Sequence, residues 1–174
     1  MDHGTAFLKS QVDNAVMQHR TFLGALEDHE SQAADSRFRD LCSRHIPHMR
    51  EHQRMLEEYR SQLGGDPAVA KKVLDVAISV VRELADAAPH GEYLRLVSDI
   101  VTARQSEDTF KTFREAGRMM GNKTLQEIGD IGERHHDAYV KDANRLAQHM
   151  FVERVQGVDG VARQPAYTQV DASI

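Results

Sequence analysis

Apolar residues recur at three- and four-residue steps from the start of the chain: Phe7, Leu8, Val12, Ala15, Val16, Phe22, Leu23 and Leu26. That spacing lays them on one face of a helix and predicts a first long helix over 4–32. The polar run 31–36 follows, where Asp35 or Ser36 can cap a second helix over 36–63, which Gly64-Gly65 and Pro67 bring to an end. Pro47 lies inside it and removes one backbone hydrogen bond, so a bend is expected; the apolar seam continues on both sides, so a break is not. From Pro67 to Pro89 a further pattern reads Val69, Val73, Val76, Ala77, Val80, Leu84, enough for a helix of roughly 30 Å. The third and fourth long helices are predicted at 90–120 and 123–154, separated by Gly121-Asn122. In the fourth, Leu125, Ile128, Tyr139, Ala143, Leu146 and Met150 face inward. Residues 155–174 show no helical period and read as an extended tail that docks on the domain or on a neighbour.

Two long pairs with short turns, joined by a segment able to cross the full height, describe one of the connectivities of a four-helix bundle. The chain therefore divides into a helical bundle over 1–154 and a tail over 155–174. At 174 residues, with 6% aromatics and no Trp, it fits one all-α domain. No apolar run approaches the roughly 20 residues of a membrane span, and nothing at the start reads as a secretion signal. A net charge of −5 argues against a general nucleic-acid binder. The single Cys42 cannot form an internal disulfide and reads as a packing residue. A cytoplasmic protein is expected, and the acidic surface and the tail are compatible with a homodimer or larger assembly.

The chain has ten histidines, and their placement changes the picture. The inward seam of the second helix reads Phe38, Leu41, His45, His48, His52, Met55, Tyr59, so three consecutive seam positions hold imidazole where leucine would bury more easily. Histidines three and four apart can converge on one ion. Placing the first turn near residue 33 sets His19, on the first helix's seam, opposite His48. Placing the second turn at Gly121 sets Glu107 opposite His135, with Glu133 and His136 alongside. Gly129 and Gly132, just before them, allow close approach of a neighbouring helix. Four helices thus bring polar groups to one level, and a buried carboxylate or imidazole needs a partner: another side chain, water, or a metal. Position 135 fits the tighter seam better than 136, and either histidine can be the inward one. His3, His29, His90 and His149 read as solvated, and Met49, Met55, Met119 and Met120 as core filler.

With its four long helices, long crossover, Glu107 and Glu133-x-x-His136, the chain resembles the ferritin-like superfamily, closest to small bacterial stress-associated members without an assigned activity. The resemblance covers roughly 4–150 and implies a ferritin-like four-helix bundle with an additional helix in the crossover. Members with complete sites supply a Glu from the first helix and Glu-x-x-His from the second. Here His19 and His45-x-x-His48 stand in those places, leaving Glu107 and Glu133 as the carboxylates. The expected metal ligands are therefore His19, His45, His48, His52, Glu107, Glu133, His135 and His136. The ion is expected to be Fe, alternatively Mn or Zn, in a mono- or dinuclear site.

So few anionic ligands suit a pair of bridged ferric ions poorly, which argues against iron-storage chemistry. Oxygen or peroxide reduction would be the oxidoreductase chemistry of such a centre. Two other readings stay open. One is a metal-free helical stress or assembly protein acting through its surfaces, its seam histidines bonded to Glu107, Glu133 and Tyr139. The other, weaker, is a haem held between two histidines.

Overall fold

A computed structural model describes residues 3–64 and 91–157. They form four helices: α1 (His3–Gln32), α2 (Ser36–Gln62), α3 (Gly91–Met120) and α4 (Lys123–Val155), with no strand among the described residues. The boundaries follow local chemistry. The Asp35 carboxylate caps α2 by accepting from the Arg37 N–H at 2.9 Å, and Asn122 Oδ1 caps α4 by accepting from the Leu125 N–H at 3.0 Å. Gly121, at φ 66°, turns the chain between α3 and α4 in the left-handed region that glycine enters without strain. α2 runs through Pro47 as one helix.

Contacts fix the directions. Lys9 reaches the Gly64 carbonyl and Arg60 pairs with Asp13, so α1 and α2 are antiparallel. His29 meets Asp99 near the other end, where Glu92 accepts from the backbone N–H groups of Ala34 and Asp35. Thus α3 starts beside the end of α1 and runs antiparallel to it. Arg37 pairs with Glu153, and Asn122 donates to the Tyr59 hydroxyl at 2.7 Å, so α2 and α4 are antiparallel as well. The result is an up-down-down-up bundle: the chain leaves α2 at one end and enters α3 at the other. The helix expected over 67–89 lies outside the described residues, as does the tail beyond residue 157.

The α3–α4 pair packs closest. A Cβ on Gly117 would lie 2.7 Å from the Gln126 Cα; on Gly129 it would lie 2.7 Å from the Arg114 Cα, and both contacts are with main chain. Glycine is required at these crossings because the two backbones leave no room for a methyl group. No described helix is long and apolar enough to cross a membrane.

The core falls into two apolar halves. One is built around Phe22, Leu26, Phe38, Leu41, Cys42, Leu96, Tyr139 and Val140; the other around Val12, Val16, Leu56, Phe110, Leu125 and Ile128. Between them, in chain order, sit His19, His52 and His136, each fully buried. Cys42 packs in the first half as expected, as does Met49. Met119 and Met120 do not: they sit on the last turn of α3, beyond the packed faces, and are exposed.

Candidate metal centre

Three helices each contribute one imidazole to the layer dividing the core: His19 from α1, His52 from α2 and His136 from α4. One nitrogen of each lies within 4.8 Å of the corresponding nitrogens of the other two. The His19 ring centroid is 4.8 Å from that of His52 and 5.2 Å from that of His136. Phe110 of α3 closes the fourth side, 4.5 Å from the His52 ring and 5.0 Å from the His136 ring, with Phe22 against His136 at 5.5 Å.

One nitrogen of each ring is bound to an acceptor oxygen. His52 Nε2 donates to the Ile128 carbonyl at 3.0 Å, and His136 Nδ1 donates to the Gly132 carbonyl at 2.8 Å. His19 Nδ1 lies 2.9 Å from Gln53 Oε1. The Gln53 amide is oriented in turn, because its nitrogen donates at 2.6 Å to Glu57, a carboxylate also held by Arg20. Gln53 therefore presents its oxygen, and His19 must donate. All three tautomers follow from their partners.

The remaining nitrogens, His19 Nε2, His52 Nδ1 and His136 Nε2, carry no proton and have no hydrogen-bond partner. Burial strongly disfavours the charged form of each ring. It lowers the pKa of His19 to about 4 and of His136 to about 3, and carries that of His52 well below the usual histidine range. At neutral pH three unprotonated, unpartnered nitrogens belong to rings whose centroids stand 4.8 to 6.0 Å apart in an apolar enclosure. A water molecule could donate to two at most. A cation satisfies all three, and outer hydrogen bonds of this kind are how metal-ligating histidines are oriented.

The other expected ligands lie elsewhere. His48 does not face His19; it is exposed on α2, its ring tilted 40° and 5.0 Å from the half-buried ring of His135. On α4 the seam spacing favoured His135, but His136 is the inward one, fully buried where His135 is half-buried. His45 is buried but bonds Asp142 at 3.1 Å and packs on Tyr139. Glu107 is buried along α3 with its carboxylate on Lys111 at 2.7 Å and Arg104 at 3.0 Å. Glu133 pairs with Arg114. Both carboxylates thus have cationic partners on α3, and neither joins the three histidines in a compact group among the described residues.

Three residues that matter were not expected. Gln53 orients His19, and its spacing from the buried Met49 and Leu56 was a legible sign that it faces inward. His29, expected in solvent, is buried against Asp99, whose carboxylate also accepts from the Tyr139 hydroxyl at 3.3 Å. His29 continues the α1 seam three residues after Leu26, and Asp99 lies three after Leu96, so both were visible as seam positions. No family model, no curated protein and no solved structure matches this chain.

Proposed function

We propose that the protein is a ferritin-like helical bundle that binds a single transition-metal ion through His19 Nε2, His52 Nδ1 and His136 Nε2. The observation that carries this reading is the set of three buried, unprotonated nitrogens, each left without a partner and each on a ring fixed from behind. The up-down-down-up order supports the ferritin-like part. Three neutral imidazoles suit Zn²⁺ and Fe²⁺, whereas Mn²⁺ prefers oxygen donors. Without a carboxylate in the set, a divalent ion keeps its full charge, and a bridged ferric pair would lack the anions it needs. The site is therefore mononuclear, with a fourth position left for water or a small ligand. Iron storage does not fit it.

The metal-free reading required the seam histidines to bond Glu107, Glu133 and Tyr139. Those groups are engaged by Lys111, Arg114 and Asp99 respectively, which leaves the three nitrogens unanswered. A haem between two histidines fits poorly too, since the rings of His19, His52, His136 and Phe110 stand within 6.0 Å of one another.

Metal-stripped protein titrated with Zn²⁺, and anaerobically with Fe²⁺, should take up one ion per chain. His52→Phe, which keeps a ring in the core and deletes the lone pair, should abolish uptake and leave the helical circular dichroism intact. Absence of uptake by the parent protein, or full uptake by His52→Phe, would refute the assignment.

A further inference from the structure

His19, His52 and His136 are each fully buried, so an ion bound there must pass through the wall of the bundle. One stretch of that wall is built from donor atoms. Between α2 and α4 lies a groove of about 660 Å³, bordered by His48, His135 and Ile128 and by the carboxylates of Glu51, Glu58 and Glu127. Arg54, which also lines it, is held on the α2 surface by Glu51 and Glu58 at 2.7 and 3.1 Å. Ile128 is the residue whose carbonyl receives the His52 Nε2–H, so the groove and the buried centre share a wall.

Within that wall the histidines form a graded series. His48 is exposed, His135 is half-buried and His52 is fully buried. The His48 and His135 ring centroids are 5.0 Å apart, a spacing like the 4.8 and 5.2 Å found within the buried centre. His135 and His52 follow at 6.4 Å, ring planes perpendicular. His135 Nδ1 is itself buried and has no hydrogen-bond partner, as expected of an atom whose partner is transient.

We infer that His48 and His135 form an outer, weaker site for divalent transition metals that captures the ion from the groove and passes it to His52. The inference rests on the buried three-histidine site proposed above. Three carboxylates against the two guanidinium groups of Arg54 and Arg134 leave the groove slightly anionic, with Glu127 the carboxylate not tied to Arg54. Two imidazoles replace part of the ion's water shell, and His52 accepts it on the inner side. A two-histidine site binds less tightly than a three-histidine one, so transfer runs inward.

The test is the rate of Zn²⁺ loading into metal-stripped protein, followed by stopped flow against a chromophoric chelator, with the final Zn²⁺ content measured separately. In the double variant His48→Ala/His135→Ala the ion must wait for local opening of the bundle, so loading should slow by about tenfold or more while the endpoint stays at one ion per chain. His149→Ala, which removes an exposed histidine elsewhere on α4, should load like the parent. A double variant loading at the parental rate overturns the inference, and so does one that folds but has lost its final Zn²⁺. Should the double variant fail to fold, His48→Ala alone, at an exposed position, decides by the same rate. Failure of the parent itself to bind Zn²⁺ is a separate outcome, which refutes the buried site and the relay with it.

Discussion

Acid should destabilise the metal-free protein through the three core histidines, and the size of the effect can be worked out. His19 has a folded-state pKa of about 4 and His136 of about 3, both below the unfolded value near 6.5 because burial penalises the imidazolium. Above pH 6.5 both folded and unfolded states hold these rings neutral, and stability is at its full value. As pH falls below 6.5 the unfolded chain takes up protons that the folded core refuses, and stability drops until the folded pKa is passed. Between pH 7.5 and 5 each of the two rings should account for a loss of about 2 kcal/mol. His52, shifted in the same direction by the same cause, adds a third proton. The assay is urea unfolding of chelator-treated protein at half-unit steps from pH 7.5 to 5. His45 and His135 are shifted downward too, so the total slope mixes several groups. The decisive comparison is His136→Leu, which should reduce the slope between pH 6 and 5 by close to one proton, about 1.4 kcal/mol per pH unit. An unchanged slope would mean that His136 takes up its proton in the folded state as readily as in the unfolded one. The nitrogen would then have access to water, and the need for a cation would disappear.

Zn²⁺ at a hundredfold excess over its dissociation constant should stabilise the stripped protein by about 2.7 kcal/mol, a rise in Tm of roughly 5–10 °C in differential scanning calorimetry that a chelator reverses. Gly132→Ala would set a methyl group 2.6 Å from the Phe110 ring and 2.7 Å from His52 Nε2; it should lower stability by about 1–3 kcal/mol and displace His52, with weaker Zn²⁺ binding in calorimetric titration. Gln53→Leu removes the acceptor behind His19 and should weaken Zn²⁺ binding by roughly 10–100-fold without altering stoichiometry. Glu107→Gln should leave Zn²⁺ uptake at the parental level, since its carboxylate belongs to Arg104 and Lys111; loss of uptake would return Glu107 to the site.

The helices were legible because their punctuation is local. Asp35, Gly64, Gly121 and Asn122 act within a residue or two of where they stand, and the predicted ends fall within one residue of those of α1 to α4. The close approach of α3 and α4 was legible in part: Gly129 meets the α3 backbone, whereas Gly132 faces the side chains of His52 and Phe110, and Gly117 on α3 was not singled out. The exposure of Met119 and Met120 was not, because composition says what a residue prefers but not where the facing helix runs out. The burial of His29 depended on a partner seventy residues away, Asp99, which only the packing of α3 on α1 brings near.

The site residues were half legible, and the error has one geometric cause. Pairing across each turn assumed that residues equally distant from it meet. The backbones obey that rule: a Cβ on Gly129 would lie 2.7 Å from the Arg114 Cα, and the two stand eight and seven residues from Gly121. Side chains do not, because each leans toward the N-terminus of its own helix. In an antiparallel pair the two lean toward each other's height from opposite directions. With long side chains that amounts to roughly 3 Å apiece, about two residues of helical rise on each helix and four in all. His19 accordingly reaches past the level of His48 to Gln53 and His52, and His136 meets Phe110 one turn on from Glu107. That single turn decides the chemistry. Paired at equal heights, the bundle would hold a mixed carboxylate and imidazole layer suited to two ions. Paired as the side chains lean, it encloses three neutral imidazoles against a phenyl ring, and the carboxylates fall to the cations of α3.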